Sequence, residues 1–96
     1  MTTTELEELA ELIHRKWPSD WRLLGRYYEI GKDDYNNVYM LVWGLDKLEE
    51  LGFHPYIQKN FSDGYTLHLT VHELIVGTTR AEAVAKALLV ALKEKR

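Results

Sequence analysis

The chain has 96 residues, of which 46% are hydrophobic and 28% are charged, as is typical of one globular domain and not of a disordered chain. Its net charge is -3 and it has no basic run outside the last few residues, so it lacks the electrostatic footprint of a nucleic-acid-binding protein. It has no cysteine, which excludes disulfides and thiol chemistry and argues against a structural zinc site.

The amino-terminal segment is acidic and polar, so we expect no signal peptide. No apolar run approaches the roughly 20 residues that span a bilayer. We therefore expect a cytoplasmic protein with no membrane or nucleic-acid partner, no cofactor and no bound metal. Because no repeat or low-complexity linker interrupts the chain, residues 1–96 are expected to form a single domain.

The first predicted helix covers about Glu5–Lys16 and carries apolar residues at helical spacing. Thr4 and Glu7 have the spacing of a capping box at its start, and Pro18 ends it. The segment Trp21–Ile30 follows and is rich in aromatic residues. It predicts one bent strand or two short strands.

The second predicted helix covers about Asn36–Leu51, and Gly52 is placed to end it. Tyr39 and Trp43 lie on other faces than the core stripe, so this helix must be covered on two sides. Either the first helix packs over it, or Tyr39 and Trp43 anchor a subunit interface of a homo-oligomer. The predicted core stripe consists of Val38, Leu41, Val42, Leu45 and Leu48.

Two predicted strands, PYIQKNF and YTLHLTVH, are joined across SDG. A three-residue loop with Gly64 in the left-handed conformation places both apolar sets on one face of the sheet. The same register opposes His54 with His72 on the other, polar face, near enough for two imidazoles to share a ligand. The candidate ligand- or partner-binding residues are His54, Tyr56, Gln58, His68, Thr70 and His72.

The polar face has two interpretations. It is either an ordinary solvated sheet face or a recognition surface, and catalysis is the less favoured use of its histidines. After Glu73 the alternation slips, because Leu74 and Val76 are apolar out of phase. This slip predicts a bulge or turn before the last helix.

The third predicted helix opens with Thr79 and Glu82 in a capping box and runs to about Lys95. Its start at Thr78, Thr79 and Arg80 is either a simple helix cap or an anion site built from backbone N–H groups and the Arg80 charge. The predicted fold is α+β, with three helices packed on a small antiparallel sheet in the order α-β-α-β-β-α.

A first family resemblance is carried by three segments, which are NNVYMLVWGLDKLEELGF, a hairpin with SDGY at its turn, and GTTRAEAVAKALLVAL. Together they resemble the phage ABA-sandwich domains, small proteins of phage and prophage origin. Those domains share an Ala/Trp-rich helix ending in Gly-aromatic, a short antiparallel hairpin, and an alanine-rich carboxy-terminal helix. The resemblance implies a phage origin but brings no activity and no functional residue.

A second resemblance is to the pterin-4a-carbinolamine dehydratases, which have similar size and element order. That family has His-His-Pro after its central helix and Thr-His-acidic at the end of its hairpin. The matching segments here are Phe53-His54-Pro55 and Val71-His72-Glu73. Because Phe53 replaces the first histidine, the resemblance implies a shared scaffold with an altered function.

Two main functions therefore stay open at the level of sequence, and a structural subunit of a phage particle is a third possibility. The first is a small non-enzymatic phage-type binding protein, with an accessory or anti-defence role, that recognises a host protein or a small ligand through the polar sheet face. It would have no catalytic residue. The alternative is a dehydratase-like enzyme acting on a pterin, with His54 and His72 as acid and base.

Overall fold

The structure is a computed structural model that describes residues 2–18 and 38–94. These residues form three helices and a three-stranded antiparallel sheet of order β1-β2-β3, which confirms the predicted α+β class. The strand region predicted at residues 21–30 lies outside the described residues. The elements are α1 (Thr3–Lys16), α2 (Val38–Glu50), β1 (Tyr56–Lys59), β2 (Tyr65–His68), β3 (Leu74–Gly77) and α3 (Arg80–Lys93).

Helix α1 begins one half-turn earlier than predicted. Its capping box joins Thr2 and Glu5, since the Glu5 backbone N–H donates to the Thr2 hydroxyl at 3.1 Å and the Thr2 N–H donates to the Glu5 carboxylate at 2.9 Å. The predicted cap at Thr4 is wrong. Thr2 and Glu5 have the same spacing as Thr4 and Glu7, and the cap at Thr2 lets the helix begin at Thr3.

Helix α2 ends as predicted. Gly52 has a φ of +97°, and the N–H groups of Gly52 and Phe53 donate to the carbonyls of Glu49 and Leu48 at 2.9 and 3.0 Å. Leu48 is fully buried, whereas Val42 is 57% exposed. The prediction that Val42 belongs to the core is therefore wrong.

Strands β1 and β2 pair in a register two residues away from the predicted one. Tyr56 lies opposite His68 and Gln58 lies opposite Thr66. The connecting loop has five residues, Asn60–Gly64, closed by the Asn60 N–H donating to the Gly64 carbonyl at 3.1 Å. Gly64 does have the predicted positive φ, at +93°. A two-residue slip keeps every side chain on its own face, so the apolar sets still lie together.

Strand β2 ends at His68, and the chain then reverses around Val71. The Leu69 N–H donates to the Glu73 carbonyl at 3.0 Å, and the Thr70 hydroxyl accepts from the backbone N–H groups of His72 and Glu73 at 3.2 and 3.0 Å. A turn was one of the two predicted alternatives before the last helix, and the structure has one here. The third strand that follows it, β3, pairs with β2 and was not predicted.

Helix α3 lies at the centre of the described fold, because it contacts α1, α2, β2 and β3. The missing side chain at Gly77 on β3 permits close packing against this helix, because a Cβ added there would lie 2.6 Å from the Ala83 backbone nitrogen. Leu67 on β2 and Leu88 on α3 are fully buried where sheet and helix meet. Among the helices that the structure describes, none has the length and apolar content to cross a membrane.

Candidate recognition face

One face of the sheet points away from α3 and is called here the outer face. Residues directly opposite each other in antiparallel strands point to the same side, and successive residues alternate between sides. Because Leu67 is fully buried and Ile75 packs against the core, their neighbours in β2 and β3 point outward. The outer face consists of Tyr56, Gln58, Thr66, His68, Leu74 and Val76.

Tyr56, His68 and Gln58 form an ordered array on this face. The Tyr56 and His68 rings are stacked, with centroids 4.2 Å apart and planes 7° from parallel. Oε1 of Gln58 lies 3.0 Å from Nε2 of His68, within hydrogen-bond distance. Each ring or amide is thus held by a neighbour, and the imidazole has a fixed orientation.

The outer face is uncharged, since none of its six residues is Asp, Glu, Lys or Arg, although 28% of the whole chain is charged. Tyr56 is 59% exposed, and Leu74 and Val76 are each 56% exposed. The Thr66 hydroxyl donates to Oδ1 of Asn60 at 2.7 Å, which ties the face to the β1–β2 loop. Apolar and aromatic groups therefore lie beside oriented polar groups on an accessible surface.

A groove of about 530 Å³ adjoins the outer face at the end where β1 begins and β2 ends. Most of its lining residues are exposed, so it is an open groove and not an enclosed cavity. A second groove of about 320 Å³ shares Phe53, Leu69 and Thr70 with it. The first groove is lined by Gly52, Phe53, His54, Tyr56, His68, Leu69, Thr70 and Val71.

The structure therefore brings together five of the six predicted site residues. His54, Tyr56, His68 and Thr70 line the first groove, and Gln58 is bonded to His68. His72 lies in the β2–β3 turn, where its backbone N–H donates to Thr70. The predicted cross-strand pairing of His54 with His72 is wrong, because β2 ends four residues before His72.

Two residues of the outer face, Leu74 and Val76, were not predicted as site residues. The positions of these two residues in the alternating pattern could have identified them. In a strand continuing the alternation of Thr66 and His68, both fall on the polar face, and the structure places both there. The two residues therefore form an exposed apolar patch on the outer face.

The predicted anion site at the start of α3 is occupied by a side chain of the same helix. The backbone N–H and the hydroxyl of Thr78 both donate to Oε1 of Glu82, at 2.7 and 3.0 Å. The Thr79 hydroxyl accepts from the Glu82 N–H at 3.1 Å, as a helix cap does. The donors of Thr78 are therefore taken by a carboxylate of the same chain.

The environment of Glu82 stabilises its charged form. Burial raises the pKa of this carboxyl, but hydrogen bonds that include those from Thr78, together with the charge of Lys86, outweigh burial and lower the pKa to about 2. Nζ of Lys86 lies 3.9 Å from Oε1 of Glu82. The start of α3 thus carries its own bound anion.

The predicted interface residue Trp43 has contacts within the chain. Its ring meets that of Trp17 edge to face, with centroids 5.4 Å apart. Nζ of Lys47 lies 5.3 Å from the Trp17 centroid and 5.6 Å from the Trp43 centroid. Trp17 directly follows α1, so this contact joins the end of that helix to α2, whereas α1 itself packs against α3. The side chain of Tyr39 lies outside the described part of the chain.

Within residues 2–18 and 38–94, no group of three or more His, Asp or Glu side chains is placed to hold a metal ion. Comparisons with models of known protein families, with curated proteins and with solved structures found no match to this chain.

Proposed function

We propose that this chain is a non-enzymatic binding protein that recognises another protein through its outer face. The observation that carries the proposal is an accessible, uncharged sheet face on which Tyr56, His68 and Gln58 are already ordered. Depletion of charge with retention of aromatic and apolar groups is the composition of the central part of protein interfaces.

The shape of the surface favours a protein partner over a small ligand. Small-molecule sites are usually concave and bury most of the ligand. Here the sheet face is accessible, and the adjoining groove is lined largely by exposed residues such as His54 and Val71. A partner side chain can enter this groove while the partner backbone lies across Leu74 and Val76.

The resemblance to phage ABA-sandwich domains supports a host protein as the partner and an accessory role such as anti-defence. A second copy of the chain, as in a homo-oligomer, is the competing occupant. The dehydratase-like alternative is less favoured because it was based on a cross-strand pairing of His54 with His72, and His72 lies in the β2–β3 turn instead of in β2. An acid–base pair needs both groups within reach of one substrate.

The proposal is tested by a photo-crosslinking amino acid introduced at Val76 in a chain expressed in bacterial cells. We expect crosslinks to one or a few discrete host proteins. The double variant Tyr56→Ala, His68→Ala should reduce their yield about tenfold or more, because ordered aromatic residues dominate interface energetics. The same crosslinker at Glu7, an exposed position on α1, is the matched control.

Two results would contradict the proposal. Identical crosslinks from positions 76 and 7 would show that the outer face has no preference. Crosslinks only between copies of the chain would assign the face to a homo-oligomer instead of a host protein.

A further inference from the structure

Two cationic side chains converge on the ring of Tyr65, on the opposite side of the sheet from the outer face. Nζ of Lys59 lies 5.3 Å from the ring centroid, and Cζ of Arg80 lies 4.5 Å from it. Both cations belong to exposed residues, whereas Tyr65 is half-buried. The distance between Nζ of Lys59 and Cζ of Arg80 therefore cannot exceed the sum of these two distances.

The register of the sheet brings Lys59 and Tyr65 together. Asn60 and Gly64 form a hydrogen-bonded pair, so the next pair, Lys59 and Tyr65, is of the non-hydrogen-bonded kind. In such pairs the side chains approach most closely, with Cα atoms roughly 4.5 Å apart. The ammonium group of Lys59 is thus held beside the tyrosine ring by the backbone pairing.

The absence of a side chain at Gly77 brings Arg80 to the same ring. Gly77 lies opposite Tyr65 in the sheet, and a Cβ there would come within 2.9 Å of the Ala83 Cα. The first turn of α3 can therefore lie directly against the strand. Arg80, the first residue of that helix, consequently reaches across to Tyr65.

No carboxylate of the described chain forms an ion pair with Lys59 or Arg80. The acidic residue of the same helix turn, Glu82, directs its carboxylate to Thr78 and Lys86. Two cationic groups that contact one ring and have no carboxylate partner in the described chain favour an external anion.

We propose that Lys59 and Arg80, together with the Tyr65 hydroxyl, bind the phosphate group of free phosphate or of a small phosphate monoester. The guanidinium group offers a planar fork of N–H donors that matches phosphate oxygens, and the ammonium group adds a second charge. The phenol adds an O–H donor on the residue that both cations contact. This site is independent of the outer face and of the Thr78 donors that Glu82 already holds.

The test is an NMR titration of the ¹⁵N-labelled chain with inorganic phosphate, at constant ionic strength maintained with chloride. We expect saturable shifts of the Tyr65, Gly77 and Arg80 amides. The variants Lys59→Gln and Arg80→Gln should each weaken phosphate binding about tenfold, as loss of one charge-assisted contact implies. A parallel titration with methyl phosphate distinguishes the sources, because tighter binding of the ester indicates a monoester and weaker binding indicates free phosphate.

The matched control is Lys16→Gln, which removes the same charge from an exposed position on α1. It should leave phosphate affinity unchanged. Shifts that do not saturate, or an equal loss of affinity in Lys16→Gln, would overturn the site and reduce the effect to general screening. Unchanged amide positions away from the site would show that each variant is folded.

Discussion

At the scale of single residues, Glu82 couples the start of α3 to the pH of the solution. The residue is 5% exposed, and its carboxylate accepts two hydrogen bonds from Thr78. The pKa of this carboxyl is lowered from 4.5 to about 2 in the folded chain. The unfolded chain therefore takes up the proton at a higher pH than the folded chain does.

We predict that this carboxylate stabilises the fold above about pH 4.5 and that the contribution is lost as the pH falls toward about 2. Glu82→Gln should lower the free energy of unfolding at pH 7 by about 1–3 kcal/mol, because it removes the charge that Thr78 and Lys86 stabilise. It should also flatten the pH dependence in that window. Denaturant unfolding of both proteins between pH 2 and 7 provides the measurement.

The control for this prediction is Glu7→Gln, at an exposed position on α1. It should change the free energy of unfolding by less than about 0.5 kcal/mol at pH 7. Parallel pH profiles for the wild-type chain and Glu82→Gln would show that the buried carboxylate contributes nothing specific.

At the scale of elements, the sheet has one face that carries stability and one that does not. Leu67 on β2 is 0% exposed and Leu74 on β3 is 56% exposed, although both are leucines in neighbouring strands. The first packs against α3 and the second lies on the outer face. Their contributions to stability should therefore differ widely.

Leu67→Ala is predicted to lower the free energy of unfolding by about 2–5 kcal/mol, because it leaves a cavity in the core. Leu74→Ala, the same chemical change, should alter it by less than about 0.5 kcal/mol. Urea denaturation followed by tryptophan fluorescence measures both. A comparable loss in the two variants would mean that the outer face is covered within the chain.

The sequence was sufficient for the faces of the strands but not for their pairing. Alternation has a period of two residues, so a register slipped by two satisfies it equally well. Gly64 was correctly identified as the residue with positive φ, yet loops of three and five residues can both end on it. The Tyr56–His68 stack depends on the β1–β2 register, so the sequence did not predict it. The sequence did predict correctly that Tyr56 and His68 lie on the same face of the sheet.

Helix ends show a similar limit. Gly52 ends α2 where expected, because a single glycine follows the last apolar residue. The repeated Thr-x-x-Glu spacing near the amino terminus gives two equivalent caps, and local pattern alone does not choose between Thr2 and Thr4. The third strand was missed because Leu74 and Val76 were expected to need burial, whereas both lie more than half exposed.

At the scale of the whole molecule, α3 holds the described elements together. It is the helix that contacts both of the other described helices and also two strands. Ten of its residues are buried, including Val84 and Leu88 with no exposed surface. Unfolding of α3 therefore requires global unfolding of the described fold.

We predict that the slowest-exchanging amides lie in the segment Ala83–Leu92 and exchange only through global unfolding. Hydrogen exchange followed by mass spectrometry should give this segment an opening free energy equal to that from denaturant unfolding. The β1 amides should exchange faster, since β1 is short and three of its four residues are exposed. Equal protection in β1 and α3 would contradict a fold organised around this helix.

The amine of Lys86 has a consequence for how other molecules can approach. Its Nζ donates to the Val76 carbonyl at 3.0 Å, and that carbonyl points away from β2 because Thr66 and Val76 form a non-hydrogen-bonded pair. A strand of another molecule that paired with β3 would lack the Val76 carbonyl as an acceptor and would lie next to the Lys86 charge. Lysine side chains at sheet edges commonly protect proteins from edge-to-edge aggregation. Addition of a strand at the β3 edge is therefore disfavoured. Other molecules are expected to bind the outer face instead of this edge.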